Sequence, residues 1–367
     1  LGQAKKSSRI TDSKSSPEAL TAYSDAANYQ NKLAYELAAE EWARFLQRYG
    51  NDPLAAKAQH YRGVCLVQLK RYADAVRAFH EVLSKHPKFE MLEDVYLNLG
   101  WSQYCLGLAG DKNRYAQAIE TFGKLEEAYP QGKYVDQALF FKAESLYALD
   151  RKKDSAMAYG KLVTGHAKSK LRADALYALG VTLEEMTQWP QAAKSYEMFL
   201  KDYAKNDLAT EVRMRLAEST LQGGDSKAAE TLFAEVAGSA GFVSADHALL
   251  RQAYCAVQQG KDAEAAQLYQ RLVERFPKSG NVAEAMLSAA RCYFRANQQE
   301  EAANWFERVL DLDGVGVLEA AHWRCRIYLQ NNQVDQALKL AEEKLAGAGD
   351  DPFVANLRLD KADALYE

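Results

Sequence analysis

A small residue followed four positions later by a large ring recurs along almost the whole chain. The rings follow one another about every 37 residues, which marks an internal repeat. A repeated unit that stacks on its neighbours also explains how 367 residues can fold without one very large core. The ninth pair lacks its ring, and in the fourth a serine replaces the alanine. The pairs are Ala38/Trp42, Ala75/Phe79, Ala118/Phe122, Ser155/Tyr159, Ala192/Tyr196, Ala229/Phe233, Ala265/Tyr269, Ala302/Phe306 and Ala337/Ala341.

A second small residue precedes most of these pairs at a constant distance, as at Ala26, Gly63, Ala143, Gly180, Ala217, Ala253 and Ala290. Two helices can approach closely where both carry small residues, so each unit is predicted to be a helix, a short turn and a second helix. Pro87, Pro130 and Pro277 are predicted to end the second helix of their units, because proline cannot continue a helix. The third unit is longer, which predicts extra residues between its two helices, at 108–113.

These patterns resemble the tetratricopeptide repeat (TPR), most plainly in Tyr96-x2-Leu99-Gly100 with Ala118-x3-Phe122 and Pro130. The resemblance implies an all-α TPR α-solenoid, a right-handed superhelix of about nine helical hairpins plus a partial tenth. Units of about 37 residues that close on an aromatic residue and a proline, as in Tyr129-Pro130 and Phe276-Pro277, are most similar to TPR proteins of the bacterial envelope. Those include outer-membrane assembly lipoproteins and the periplasmic partner of the Tol-Pal system.

The repeat divides the chain into an N-terminal tail, nine units and the start of a tenth. Residues 1–16 are rich in Ser and Lys and are predicted to be a flexible tail. Residues 353–367 are predicted to be the first helix of a further unit. The nine units are predicted at 17–53, 54–87, 88–130, 131–167, 168–204, 205–241, 242–277, 278–314 and 315–352.

In TPR arrays the first helices line a concave groove, and the resemblance implies that ligand contacts fall on a few positions of each first helix. Those positions predict a groove that is aromatic, then acidic, then basic. Two interpretations stay open: a partner-binding site, or rings that fill the core and charges on a solvated face. The candidate residues are Tyr23, Trp101, Tyr104, Phe140, Glu144, Tyr147 and Tyr177, followed by Arg291, Phe294, Arg295 and Arg326.

No motif for catalysis or for a cofactor was found, so the chain is predicted not to be an enzyme and to bind no cofactor and no metal. The phosphate-binding GxxxxGK[ST] loop, the GxGxxG turn and the GxSxG elbow are absent. The Asp311-Leu312-Asp313-Gly314 segment opens like a calcium loop, but its glycine comes too early, so it is predicted to be a turn. The five cysteines are widely spaced without a CxxC pair, which indicates neither a disulfide framework nor a zinc ribbon.

Charge and hydropathy narrow the partner class. The formal net charge of −4 gives no basic excess that would favour nucleic acid, and no apolar run has the length of a membrane span. The chain begins at Leu1 without an apolar signal-peptide core, so a signal peptide is expected to have been removed upstream. The predicted location is therefore the periplasm or another exported compartment, with the cytoplasm as the alternative.

The sequence thus predicts a non-enzymatic protein-interaction scaffold of a bacterial cell envelope. Protein or peptide partners, including a membrane-associated complex, are expected in the groove, whereas nucleic acid and small-molecule substrates are not. Two alternatives stay open: a cytoplasmic peptide-binding adaptor, and the sensor or docking part of a larger signalling or transport protein.

Overall fold

A computed structural model describes residues 14–312, 314 and 316–367 of the chain. The described residues form 19 helices and no strand. They divide into two compact units, with the boundary between Met186 and Thr187, and we call these unit 1 and unit 2. Of the predicted tail at 1–16, residues 1–13 lie outside the described residues, as does Asp313 of the predicted turn.

Unit 1 contains the first nine helices, and successive helices pack against each other. The first begins where Ser16 accepts a hydrogen bond from the Ala19 amide at 3.1 Å and Pro17 fixes the first turn. The helices are α1 (Pro17–Asn31), α2 (Tyr35–Tyr49), α3 (Ala55–Gln68), α4 (Tyr72–Lys85), α5 (Leu92–Leu108), α6 (Asn113–Ala128), α7 (Val135–Ala148), α8 (Lys152–Gly165) and α9 (Arg172–Glu185).

Unit 2 contains the remaining ten described helices. Each of the nine predicted ranges encloses two helices, and 353–367 contains the last one. The helices are α10 (Trp189–Asp202), α11 (Ala209–Gln222), α12 (Ser226–Gly238), α13 (Ala245–Gln258), α14 (Asp262–Arg275), α15 (Val282–Arg295), α16 (Gln299–Leu310), α17 (Val317–Gln330), α18 (Val334–Leu345) and α19 (Val354–Tyr366). The predicted all-α, α-solenoid fold class is confirmed, while the right-handed superhelix stays a prediction.

In the first eight hairpins the ring of the second helix lies in the core, as the repeat predicts, and in the ninth this position is the buried Ala341. Trp42, Phe79, Phe122 and Tyr159 are almost fully buried in unit 1, and Tyr196, Phe233, Tyr269 and Phe306 are buried in unit 2. Two of these rings pack directly on glycines of the first helix. A Cβ added at Gly63 would lie 2.6 Å from the Phe79 ring, and one at Gly100 would lie 2.5 Å from the Phe122 ring. The small residues are therefore required by the close approach of the rings.

Each hairpin turn contains one residue in the left-handed region, two positions after the first helix ends. Glycine fills this position in three hairpins, where it adopts a positive φ without steric cost. Six hairpins use other residues with φ between 55° and 60°, which costs free energy in an L-residue. These residues are Leu33, Lys70, Asp150, Thr187, Asn297 and Asn332.

The third hairpin differs from its prediction. The sequence predicted extra residues between the two helices at 108–113, but most of them extend the helices instead. α5 has 17 residues and α6 has 16, whereas α3 and α4 have 14 each. The longer helices stay packed because Gly107 is buried under the Tyr115 ring, so the turn is limited to 109–112.

The predicted stops of the second helices are confirmed. α4, α6 and α14 end one residue before an aromatic C-cap, which Pro87, Pro130 and Pro277 follow. Proline has no N–H and its ring clashes with a continuing helix, so the chain turns here into the next hairpin.

All five cysteines are buried and unpaired. Burial raises the pKa of the Cys255 and Cys325 thiols to about 12, and a thiol in its protonated form is a poor nucleophile. The cysteines therefore act as small core residues.

Candidate functional site

The first helices of unit 1 bring six of the predicted groove residues into one region. On α5, the rings of Trp101 and Tyr104 lie 5.7 Å apart, and both pack against Phe141 of α7, at 4.6 and 5.5 Å. On α7, Phe140 contacts Phe141 on one side and Tyr159 of α8 on the other, at 5.4 and 5.8 Å. These rings form one continuous cluster across three helices.

A cavity of about 330 Å³ opens beside this cluster. Rings, two carboxylates and small or aliphatic side chains of α7, α8 and α9 line it. The lining residues are Phe140, Glu144, Tyr147, Tyr159, Asp174, Tyr177, Ala178, Val181 and Thr182. We define the aromatic groove as this cavity together with Trp101, Tyr104 and Phe141.

Glu144 connects the two parts of the aromatic groove. It accepts a hydrogen bond from the hydroxyl of Tyr159, which is buried under the cavity. Burial, and then the charge of Glu144, raise the pKa values of Tyr104 and Tyr159 well above the ordinary value of a tyrosine. Both phenols are therefore protonated at neutral pH, and Tyr159 is held as a donor towards the carboxylate.

Tyr147 lies at the rim of the cavity and is 36% exposed. Its hydroxyl donates a hydrogen bond of 2.5 Å to Glu185 at the end of α9. This bond lowers the pKa of Glu185, with a further contribution from Lys152, whose ammonium lies 3.2 Å from the same carboxylate. The hydroxyl thus orients the ring, which stays partly exposed at the cavity.

A second cavity of about 290 Å³ lies on the first helices α3, α5 and α7. Trp101 and Phe141 form its aromatic side, and Asn98 and Gln137 contribute amides. Accessible space therefore lies on both sides of the ring cluster in unit 1.

Tyr23 does not lie in the aromatic groove. Its ring packs edge-on against Trp42 and Phe45 of α2, at 4.8 and 5.8 Å. Burial and the neighbouring Tyr61 raise the pKa of Tyr23 to about 12. Its contacts are those of a residue in the core of the first hairpin.

The predicted basic segment lies in unit 2, and each of its arginines is paired with a carboxylate of the same unit. Arg291 binds Glu319 of α17 through two nitrogens. The other two arginines bind aspartates: Arg295 donates to Asp262 at 2.8 Å, and Arg326 to Asp363 at 2.9 Å. These guanidinium groups link neighbouring helices.

Phe294, the remaining candidate of unit 2, and Glu218 on another first helix also contact other side chains of that unit. The Phe294 ring packs against Trp323 at 5.0 Å. Glu218 of α11 accepts two hydrogen bonds from Arg251 of α13, at 2.8 and 2.9 Å. The first helices of unit 2 are therefore joined by ion pairs and ring contacts, while those of unit 1 leave a ring-lined cavity.

Sequence reasoning missed six residues of the aromatic groove: Phe141, Tyr159, Asp174, Ala178, Val181 and Thr182. Phe141 follows Phe140 and was not at a predicted contact position. Tyr159 was identified only as a core ring, although a tyrosine carries a hydroxyl that can reach the groove. Asp174 stands alone in the first turn of α9 and gives no sequence signal of a site.

None of the helices in the described part of the chain is both long and apolar enough to cross a membrane. The described residues also contain no group of three or more His, Cys, Asp or Glu side chains placed to hold a metal ion.

Models of the tetratricopeptide repeat match residues 24–88, 94–132, 174–206 and 244–313, which together span more than half of the chain. The chain belongs to the TPR family. TPR domains generally bind protein or peptide partners, and proteins of this fold are typically scaffolds rather than enzymes. A comparison with curated proteins found no match.

Several solved TPR structures are similar to this TPR chain. The C-terminal part of a TPR protein from Cytophaga hutchinsonii is 16% identical with a TM-score of 0.48, covering 70% of this chain and 97% of that one. PilW, a type IV pilus biogenesis factor, is 17% identical with a TM-score of 0.42, covering 64% and 100%. YrrB, described as having an unusual peptide-binding site, is 17% identical with a TM-score of 0.41, covering 53% and 92%. Likeness at this level carries no argument about what this chain binds.

Proposed function

We propose that this TPR protein is a non-enzymatic scaffold that binds a protein partner through the aromatic groove of unit 1. The observation that carries the proposal is the open cavity of about 330 Å³, lined by four rings, beside the cluster of Trp101, Tyr104 and Phe141. Exposed rings in a pocket bury much area at low entropic cost, so they tend to dominate binding free energy. We propose no role for nucleic acid, for a small-molecule substrate or for a cofactor.

A pair of variants tests this proposal. Tyr147→Ala with Val181→Ala removes lining of the cavity, whereas Leu108→Ala with Met157→Ala removes two exposed apolar side chains outside it. Partner retained from native extract by the wild-type chain is quantified for both variants. We expect the groove variant to bind about tenfold more weakly or worse, and the control variant to bind as the wild type. Equal binding by all three proteins, with unchanged helicity, would contradict the proposal.

The proposed location is the exported side of a bacterial cell envelope, where the partner belongs to a membrane-associated complex. The support is the likeness of units of about 37 residues that end in Tyr129-Pro130 and Phe276-Pro277 to envelope TPR proteins. Alkaline phosphatase, which is active only after export, can be fused to the product of the complete gene. An active fusion is expected, and an inactive fusion that accumulates in the cytoplasm would overturn the proposed location.

A further inference from the structure

The cavity of the aromatic groove combines rings with carboxylates. Phe140 and Tyr147 of α7, Tyr159 of α8 and Tyr177 of α9 supply four rings. The faces of such rings carry partial negative charge and attract cations, arginine more often than lysine. A cavity walled by several rings is therefore suited to a cationic group.

Two carboxylates add full negative charge to the same cavity. Glu144 comes from α7 and Asp174 from α9, and none of the described residues that line the cavity is basic. The Asp174 carboxylate is exposed and makes no hydrogen bond or ion pair with another described residue. The lining therefore has negative charge without an internal counterion.

Unit 2 contains an intramolecular version of the expected contact. Arg251 binds both oxygens of Glu218, at 2.8 and 2.9 Å, and its guanidinium carbon lies 5.0 Å from the centre of the Tyr254 ring. One arginine thus satisfies a carboxylate and a ring together, which suits a planar guanidinium better than an ammonium.

The cavity of unit 1 lies at the repeat position that Arg251 occupies in unit 2. Glu144 and Glu218 share one repeat position, directly after the small residue of their first helix. The first helix of the following hairpin has its own small residue. The residue two positions before it is Arg251 in unit 2 and Ala178 in unit 1. Ala178 lines the cavity together with Glu144. The alanine leaves open the space that an arginine side chain fills in unit 2.

We propose that the cavity binds an arginine side chain of the partner polypeptide. The guanidinium lies between Glu144 and Asp174, against the rings of Tyr147 and Tyr177. This inference rests on the proposed function of the aromatic groove and specifies the chemistry that the groove recognises.

A peptide titration tests the chemistry. The tripeptide acetyl-Gly-Arg-Gly-amide and its citrulline counterpart differ in charge but hardly in shape, and each is titrated into the full chain by NMR. We expect the arginine peptide to shift resonances of α7 and α9 and to bind at least about tenfold more tightly than the citrulline peptide. Equal binding of the two peptides, or no shift on α7 and α9 at concentrations on the order of 10 mM, would overturn the inference. Tighter binding of the corresponding lysine peptide would also overturn it.

A substitution within the chain gives an independent test. Ala178→Arg places an internal arginine where Arg251 lies in unit 2, next to Glu144. We expect it to abolish binding of the arginine peptide and to raise the midpoint of thermal unfolding. An Ala178→Arg protein that still binds the peptide as the wild type does would contradict the proposed position of the guanidinium.

A neutral substitution tests the charge alone. Asp174→Asn keeps the shape of the side chain, and we expect it to reduce the preference for arginine over citrulline severalfold. Asp154→Asn is the matched control, because Asp154 is a carboxylate of α8 outside the cavity that already pairs with Arg151. An Asp174→Asn protein with the full preference would count against the inference.

Failure of this inference can be separated from failure of the proposed function. If Tyr147→Ala with Val181→Ala abolishes partner binding but Ala178→Arg leaves it unchanged, the groove binds the partner without an arginine. If neither change affects the partner, the proposed function itself is wrong.

Discussion

At the scale of single residues, glycines within helices differ sharply in what surrounds them. Gly63 of α3 has no room for a Cβ because of the Phe79 ring. Gly160 of α8 is also helical, but a Cβ there would have no heavy atom within 4 Å. Replacing glycine by alanine at the two positions therefore separates the effect of packing on stability from the effect of helix propensity.

We expect Gly63→Ala to destabilise the chain by about 1–3 kcal/mol, because the added methyl group forces the ring and α3 apart. Gly160→Ala is expected to stabilise it by about 0.5–1 kcal/mol, since alanine loses less backbone entropy in a helix. Unfolding followed by circular dichroism, with hydrogen exchange of α3 and α4, measures both changes. If the two variants are equally stable, the predicted contact of Gly63 is wrong.

His60 of α3 gives the chain a pH dependence. Its side chain is buried, its Nδ1 has no hydrogen-bond partner among the described residues, and its Nε2 lies 3.9 Å from Asp94. Burial lowers the pKa of His60, and the charge of Asp94 opposes this only in part. The folded chain therefore holds this imidazole neutral at pH values where the unfolded chain has already bound a proton.

The direction of this pH dependence follows from the linkage between proton binding and folding. Below the ordinary pKa of 6.5 the unfolded chain binds a proton at His60 that the folded chain does not, so stability falls as the pH falls until the lowered folded pKa is reached. We expect a lower unfolding midpoint at about pH 5.5 than at about pH 7.5, and a smaller difference in His60→Phe. An identical pH dependence in wild type and variant would show that His60 does not contribute.

At the scale of helices, ion pairs link the first helices of unit 2. Burial alone would raise the pKa of Glu218, but the neighbouring His247 and the hydrogen bonds from Arg251 outweigh it and hold the pKa below its ordinary value. The Glu218–Arg251 pair therefore contributes stability above the ordinary glutamate pKa, and this is lost as the pH falls through the lowered folded value.

A double-mutant cycle measures this pair. Glu218→Gln and Arg251→Met, made singly and together, are expected to give a coupling free energy of about 1 kcal/mol, because both side chains are partly shielded from water. The control is the exposed pair of Arg44 and Glu40 on α2, where the coupling is expected to be close to zero. A coupling no larger at Glu218–Arg251 than at Arg44–Glu40 would contradict the structural role of the pair.

The sequence predicts the helices well because each hairpin repeats the same steric requirement. A small residue on the first helix must meet a ring on the second, as Gly100 meets Phe122, so the spacing reports the hairpin directly. The third hairpin departs from the prediction because the spacing between Gly100 and Ala118 shows how many residues are added but not whether they lengthen the turn or the helices. Gly107 lies within α5, where it makes room for the Tyr115 ring.

At the scale of the whole molecule, repeat position alone cannot separate a binding residue from a structural one. Arg291 and Arg295 occupy groove positions, yet their partners Glu319 and Asp262 lie in other helices and at different separations along the chain. A sequence gives no sign that such charges are already paired. Four rings of the aromatic groove were easier to predict, because Trp101, Tyr104, Phe140 and Tyr147 all lie at the contact positions of first helices.

The two units thus use the same helical hairpin differently. In unit 2, arginines and carboxylates of neighbouring helices pair with each other, as in Arg326 and Asp363. In unit 1, four rings and two carboxylates line a cavity of about 330 Å³. We therefore place the proposed partner-binding site in the aromatic groove of unit 1.

Site-specific photo-crosslinking tests that assignment most directly. A benzoylphenylalanine replaces Tyr147 at the rim of the cavity in one protein and Met157, an exposed residue of α8 outside it, in another. We expect the partner to crosslink to position 147 and not to position 157. Crosslinking of the partner at position 157 alone, or equally at both positions, would contradict this assignment.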